Sequence, residues 1–300
     1  MLTFLPGPVK GIIAILYLTI NTIFWCAPLF IFAFIKAILP FNTWRKICDK
    51  ILNGIANNWI FCNNMALGIL KKIEWDITGI ENLKNNEWYL VISNHQTWVD
   101  IIVLQKTLYK KIPFLKFFLK KELIWVPVLG IAWWALDFPF MKRYSDAFLK
   151  KKPHLKGKDM EITKKACEKF KTIPVSVMNF VEGTRFTIEK HKKQLSPYKN
   201  LLKPKSGGIA FVLSALGEYL HSIVDVTIAY PDGVETFWEF LCSVKTKIKI
   251  NIDVLPITEK QIGNYFDDEN FRARFNEWLN SFWTAKDKVV SEMLAKSVYR

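Results

Sequence analysis

At 300 residues the chain is long enough for one large domain or two small ones. A hydrophobic share of 51% and a mean hydropathy of +0.12 exclude a polytopic membrane protein and leave a globular chain with a membrane anchor or a membrane-facing surface. The formal charge of +15, from 42 basic and 27 acidic residues, points to anionic partners, with nucleic acid and anionic lipid both open. Five cysteines (Cys26, Cys48, Cys62, Cys167 and Cys242) are odd in number, widely spaced and without a CxxC pair. That pattern argues against a disulfide scaffold or a zinc cluster, and for small buried apolar residues in a reducing compartment.

Residues 11–35 carry no charge. As a helix this run is roughly 37 Å long, against a hydrocarbon core of about 30 Å. Lys10 precedes it, and Lys36, Arg45, Lys46 and Lys50 follow, which puts the basic flank in the cytoplasm. A single span and a dipping two-helix hairpin both fit, and Pro28 is a potential kink. Residues 51–70 are apolar but dotted with five asparagines, which suits an interfacial or packed helix better than a spanning one. The anchor and its interfacial helices therefore occupy residues 1–72, and a second unit covers 73–300.

In that second unit short apolar runs at 88–93, 175–181 and 223–230 read as strands. Residues 123–141 hold Trp125, Trp133, Trp134, Phe138 and Phe140, with Asp137 the only charge before the terminal methionine; both the headgroup level of a bilayer and a buried core suit them. Residues 159–172 and 206–216 read as helices, and the lysine-rich 150–158 as a loop. Residues 247–254 alternate strictly, as in a strand with one wet face. Phe271, Phe275, Trp278, Leu279 and Phe282 recur at helical spacing after an acidic start. Strands separated by helices argue an α/β fold.

Chemistry concentrates at two strand ends, where α/β proteins usually build sites. The first holds Asn94-His95-Gln96-Thr97-Trp98-Val99-Asp100. An imidazole beside a carboxylate is a general base with an orienting partner. On one ideal helix the two side chains would stand about 140° apart, so the pair should straddle a turn and the start of a helix. A hydrogen-bonded structural histidine satisfies the same pattern. The second is Phe180-Val181-Glu182-Gly183-Thr184-Arg185-Phe186. There Gly183 permits a sharp turn and Arg185 suits a phosphate or carboxylate, while a surface turn with a salt bridge is the plain alternative.

In this order the two motifs resemble the lysophosphatidic acid acyltransferase family of glycerolipid acyltransferases, with its NHxxxxD and F-x-E-G-T-R blocks. The gap of 82 residues from Asp100 to Glu182 suits that family. Lys121-Glu122-Leu123 with Pro127 and Gly130, then Phe140-Met141-Lys142-Arg143, Lys203-Pro204-Lys205-Ser206-Gly207-Gly208 and Val224 to Tyr230 match its further blocks, so the resemblance covers residues 74–230. The wording is nearest a bacterial membrane-bound branch. Thr97 stands where many members have serine, and Asp225 where many have proline, which puts acceptor specificity in question.

The resemblance implies a mixed, largely parallel sheet flanked by helices, with an N-terminal membrane helix or hairpin. It implies that His95 deprotonates an acceptor hydroxyl, that Asp100 orients His95, and that Glu182, Gly183, Thr184 and Arg185 hold the glycerol phosphate, with Arg143 a candidate for a second positive contact. The acceptor is lysophosphatidate, or another lysophospholipid; the donor is acyl-CoA or acyl-carrier protein; no cofactor or metal is needed. The expected setting is among membrane phospholipids of a bacterial inner membrane, on the cytoplasmic face. A nucleic-acid binder would share the charge but not need the anchor, so no nucleic-acid partner is expected. A lipid hydrolase would use the same pair with water as nucleophile and release free fatty acid. No GxSxG elbow appears, and His154, His191 and His221 are scattered.

Overall fold

The computed structural model describes residues 4–39, 41–141, 170 and 173–295. The uncharged run becomes helix α1 (Gly7–Ile38), continuous through Pro28, and α2 (Asn42–Leu70) folds back along it. The pairing is antiparallel: the Tyr17 hydroxyl donates to Cys62 O (3.0 Å), Asn21 Nδ2 to Asn63 Oδ1 (2.7 Å), and Trp59 Nε1 to Thr22 Oγ1 (3.1 Å). The two helices pack as a hairpin, and α1 by itself is long and apolar enough to cross a bilayer. One of those bonds uses Asn63, one of the asparagines that make α2 look unlike a spanning helix. In an apolar contact such groups fix register, because an unpartnered amide there is costly. At the hairpin tip Lys36 joins Asp49 (2.5 Å) and Asp137.

Beyond the hairpin come β1 (Lys72–Thr78), β2 (Tyr89–Ser93), α3 (Val99–Leu108), β3 (Leu115–Phe117) and β4 (Leu119–Lys120). A 3₁₀ turn (Lys121–Trp125), α4 (Leu129–Ala135) and β5 (Phe140–Met141) follow. The rest is β6 (Ser176–Phe180), α5 (Ile188–Gln194), α6 (Ser206–Leu216), β7 (Ser222–Ala229), α7 (Phe237–Cys242), β8 (Lys245–Pro256) and α8 (Glu269–Ala295). Six strands make one sheet in the order β1-β8-β7-β2-β6-β3. β7, β2, β6 and β3 are parallel, and β8 runs antiparallel to β7, with β1 parallel to β8. The sheet is therefore mixed and largely parallel, as expected.

β2 is buried throughout, which is why it reads as a continuous apolar run. Its Tyr89 and Val91 face a core built with α3, α7 and the hairpin (Val103, Phe240, Leu67). Leu90 and Ile92 face a second core built with α6 and α8 (Ile209, Phe275, Trp283). A third cluster joins hairpin residues Cys26, Leu29 and Leu52 to Ala132, Ala135 and Phe138. The tryptophan-rich segment thus uses one face for packing on the hairpin. Its other face is open, with Trp125 84% exposed and Ile131 and Trp134 more than half exposed.

Some expectations need correcting. β1 and β3 are strands that the run-by-run reading passes over; β1 alternates polar and apolar residues at the sheet edge. The wet face expected for β8 is only partly wet: Lys249 is buried and donates to Met293 O (2.7 Å), because the end of α8 covers it. The C-terminal helix does form, with Asp268 Oδ1 accepting from Asn270 N and Phe271 N at its start. Its buried stripe is Phe271, Phe275, Leu279, Trp283, Lys286 and Val290. Arg143, the 150–158 loop and the expected 159–172 helix lie outside the described residues, except that Phe170 is buried in the second core.

Candidate active site

At the end of β2, Asn94 keeps the strand pinned while the chain turns. Its Nδ2 donates to Ile228 O and its Oδ1 accepts from Ile228 N, both at 2.9 Å, so the side chain copies one rung of the β2–β7 ladder. The next four residues cross to α3, whose first turn carries Asp100. The straddled geometry expected from the spacing is present: His95 Nδ1 lies 2.8 Å from Asp100 Oδ2.

Asp100 is fully buried and heavily partnered. Oδ2 also accepts from Gln96 N (2.6 Å) and Thr97 N (2.9 Å), and Oδ1 accepts from the Tyr230 hydroxyl (2.6 Å). Burial, and then the nearby Asp100 charge, push the Tyr230 phenol well above its ordinary value, so it stays a donor. An ionised carboxylate only accepts, so this network assigns a proton to His95 Nδ1 and leaves a lone pair on Nε2. The imidazole lies flat on the Phe180 ring, with centroids 3.8 Å apart and planes 12° apart. Its side chain is 12% exposed, open enough to meet a hydroxyl.

The second motif sits at the end of β6, next to β2, and touches the first. Phe186 N donates to His95 O (2.7 Å) and His95 N donates to Glu182 Oε1 (2.8 Å). Gly183 turns the chain with φ +67°, where a side chain is strained, and its N–H reaches back to Phe180 O (2.9 Å). A Cβ at Gly183 would also come within 3.1 Å of the Lys205 side chain. Arg185 is exposed, its guanidinium 4.7 Å from the centre of the Trp98 ring. Lys190 Nζ donates to Thr184 Oγ1 (2.8 Å) and to Arg185 O (3.0 Å).

Glu182 differs from its expected place against the substrate phosphate. It has no exposed surface, and both oxygens accept backbone N–H groups, from His95 and from Leu202 (2.9 Å). Burial pushes its carboxyl up to about 7, against the opposite pull of those two N–H groups. Leu202 is held in turn by Trp283, whose Nε1 donates to Leu202 O (3.0 Å). A chain of hydrogen bonds thus runs from α8 through Glu182 to the His95 backbone.

The structure brings His95, Asp100, Glu182, Gly183, Thr184 and Arg185 into one site. It adds Tyr230, Phe180, Trp98, Lys190 and Lys205, which sequence reasoning did not single out. Trp98 and Phe180 stand inside the two motifs, and Tyr230 and Lys205 inside further blocks that carry the resemblance, which was the available signal. Asp225 lies elsewhere. It is paired with Lys286 (2.6 Å) on the face of β7 under α8, so its departure from the common proline bears on how α8 docks. It does not touch the cluster around His95 and Arg185.

The Acyltransferase family model matches residues 74–231, which takes in both motifs. Over 86% of its length the chain is 21% identical to the 1-acyl-sn-glycerol-3-phosphate acyltransferase epsilon of Mus musculus, covering 71% of that protein. Over 70% of its length it is 27% identical to the 2-acyl-1-lysophosphatidylinositol acyltransferase of Saccharomyces cerevisiae, covering 62% of it. The crystal structure of the 1-acyl-sn-glycerophosphate acyltransferase PlsC from Thermotoga maritima aligns over 97% of this chain and 99% of that one, with 18% identity and a TM-score of 0.49. On a family match that spans more than half of the chain, the protein belongs to the Acyltransferase family of glycerolipid acyltransferases.

Proposed function

We propose that this chain transfers a fatty acyl group from a thioester to the free hydroxyl of lysophosphatidate, giving phosphatidate. The observation that carries the reading is the His95–Asp100 pair, held at 2.8 Å and backbone-bonded to the Arg185 turn. His95 Nε2 takes the proton of the acceptor hydroxyl as its oxygen attacks the thioester carbonyl. Asp100 keeps the Nδ1 proton in place and stabilises the imidazolium. The carbon–sulfur bond breaks, and the proton on His95 passes to the departing thiolate. A thioester is reactive enough for direct attack. The Gly183-Thr184-Arg185 turn, with Lys190 and Lys205 beside it, suits the acceptor's phosphate. Glu182 positions this turn and His95 without touching substrate.

The donor is acyl-CoA or acyl-carrier protein, and no cofactor takes part. The hairpin seats the protein in a membrane. α1 is the one helix among the described residues that is long and apolar enough to cross a bilayer, and Ile12, Leu16, Ile20, Phe24 and Phe34 on it point outward. The basic flank after α1 favours a cytoplasmic catalytic unit, at an inner membrane if the source is bacterial. The names of the relatives, one on lysophosphatidate and one on lysophosphatidylinositol, keep a second acceptor in view.

The test is acyl transfer from labelled acyl-CoA to lysophosphatidate and to lysophosphatidylinositol, with wild type and His95→Ala. Phosphatidate formed by the wild type and lost in the variant supports the reading. Faster acylation of the inositol lipid would move the acceptor, and free fatty acid without an acceptor would make the protein a hydrolase.

A further inference from the structure

A second feature lies away from the His95 site, where the end of α2 meets β1 and α3. A groove of about 170 Å³ there is lined by Asn64, Leu67, Gly68, Lys72, Trp75 and Lys106, with the stem of Lys71 at its base. The Lys71 ammonium is turned inward, donating to Phe240 O, Ser243 Oγ and Thr246 Oγ1, so Lys72 and Lys106 supply the groove's charge. No lining residue is acidic.

Gly68 is the unusual member. It sits in the last turn of α2, where glycine costs about 1 kcal/mol relative to alanine. Its φ is ordinary, and a Cβ placed there would meet nothing within 4 Å. Neither backbone conformation nor crowding therefore calls for glycine. Gly68 lines the groove, so a longer side chain there is a means of filling it. Beside it on the same helix Phe61, Met65 and Ile69 are exposed, at helical spacing, so an apolar strip borders the cationic groove. The volume is below the roughly 300 Å³ at which pockets begin to enclose whole small molecules. It suits a head group whose tails lie outside.

We propose that this groove binds the phosphate head group of an anionic phospholipid of the bilayer in which the hairpin rests, with the lipid's acyl chains along Phe61, Met65 and Ile69. The inference rests on the membrane reading above. It adds a lipid site that does no chemistry and fixes the tilt of the catalytic unit on the surface. Lys72 and Lys106 meet the phosphate, and Trp75 and Asn64 border the glycerol level, where an aromatic ring and an amide are both at home.

The experiment is flotation of the purified full-length protein with phosphatidylcholine vesicles, with and without phosphatidylglycerol, reading the ratio of binding to the two. The proteins are wild type, Gly68→Leu, Lys72→Gln/Lys106→Gln and the triple variant. Acyl transfer to a detergent-dispersed acceptor and thermal unfolding check that each is folded. Wild type should prefer the anionic vesicles by about tenfold or more, since each lysine at the surface contributes about fivefold. Gly68→Leu, which changes no charge, should lose about fivefold of that preference, and the triple variant should lose little more than the lysine double. If Gly68→Leu keeps the full preference while the lysine double loses it, the attraction is diffuse and the groove is not a site. If wild type binds neither vesicle, the membrane reading fails and the groove with it, a result separable from the first.

Discussion

Asp100 and Asp225 are two buried carboxylates, each held against a basic side chain in the same fold. Asp100 meets an imidazole that is partly open to solvent, and takes three further hydrogen bonds from the loop it organises and from Tyr230. Asp225 meets the ammonium of Lys286, which is closed off and also bonds Val226 O (3.0 Å) and Thr227 Oγ1 (2.8 Å). Burial raises the Asp225 carboxyl and lowers the Lys286 ammonium, each against the pull of its partner. The first pair leaves a ring nitrogen to react. The second has every donor turned inward and ties α8 to the sheet. Burial and pairing therefore do not mark a working site; an unspent, reachable atom does.

The comparison breaks most sharply at Asp100→Asn. The amide would present an N–H₂ either to His95 or to the Gln96 and Thr97 N–H groups, so the imidazole loses its fixed tautomer. We expect kcat to fall about 10³-fold, with the fold intact and acceptor KM little changed. Steady-state kinetics with circular dichroism checks this. A loss under tenfold would put Asp100 in the same class as Asp225.

Lys286→Ala tests the other half. It strands a buried carboxylate, and should destabilise the protein by about 3–5 kcal/mol while leaving the activity of the folded fraction near wild type. Lys286→Met with Asp225→Val removes both charges and should recover most of that stability. Denaturant titration with activity at matched folded fraction separates stability from chemistry.

Glu182 stands between the two, buried like Asp225 and bonded to the catalytic loop like Asp100. Its carboxyl is raised to about 7 from an ordinary 4.5. A raised acid binds its proton more tightly when folded, so this group's contribution to stability is largest at low pH. It is lost as pH rises from about 4.5 to about 7, by up to about 3 kcal/mol. Glu182→Gln cannot ionise, so that part of the slope should vanish, and chemical denaturation at pH 5 and pH 8 measures it. The variant should also lose activity about tenfold in kcat, because an amide nitrogen faces one of the two N–H groups that Glu182 now accepts.

Much of the site was readable because it is local. His95 and Asp100 are five positions apart, and the turn at Gly183 lies within its own motif. Four of the strands, β2, β6, β7 and β8, were readable as apolar or alternating runs. The orientation of Glu182 was not, because a motif gives residue identity and not which way a side chain turns; a carboxylate beside Arg185 looks like a surface group until β2 and β6 are adjacent. The hairpin was half readable: the length and apolarity of α1 were plain, but its return along α2 depends on Asn21–Asn63 and similar contacts 37 to 45 positions apart. β1 was missed because an alternating edge strand of seven residues carries a weak signal beside a 29-residue helix.

Tyr230 lies 130 positions from Asp100, and its contact exists only because β7 lies beside β2. Its hydroxyl is the sole partner of Asp100 Oδ1 among the described residues, whereas Oδ2 has three. Tyr230→Phe keeps the ring and removes one donor. The carboxylate would retain the backbone N–H groups and His95, so the loop should keep its shape and stability should fall by only about 1–2 kcal/mol. The chemical effect should be smaller than for Glu182→Gln, about threefold in kcat, since an Asp100 that has lost one donor draws the Nδ1 proton more strongly and leaves Nε2 slightly more basic. That change has a direction: the acid limb of the pH–rate profile should move up in the variant, toward tighter proton binding by His95. A shift downward would mean that Tyr230 holds the Asp100 side chain in position against His95 and does not tune its charge.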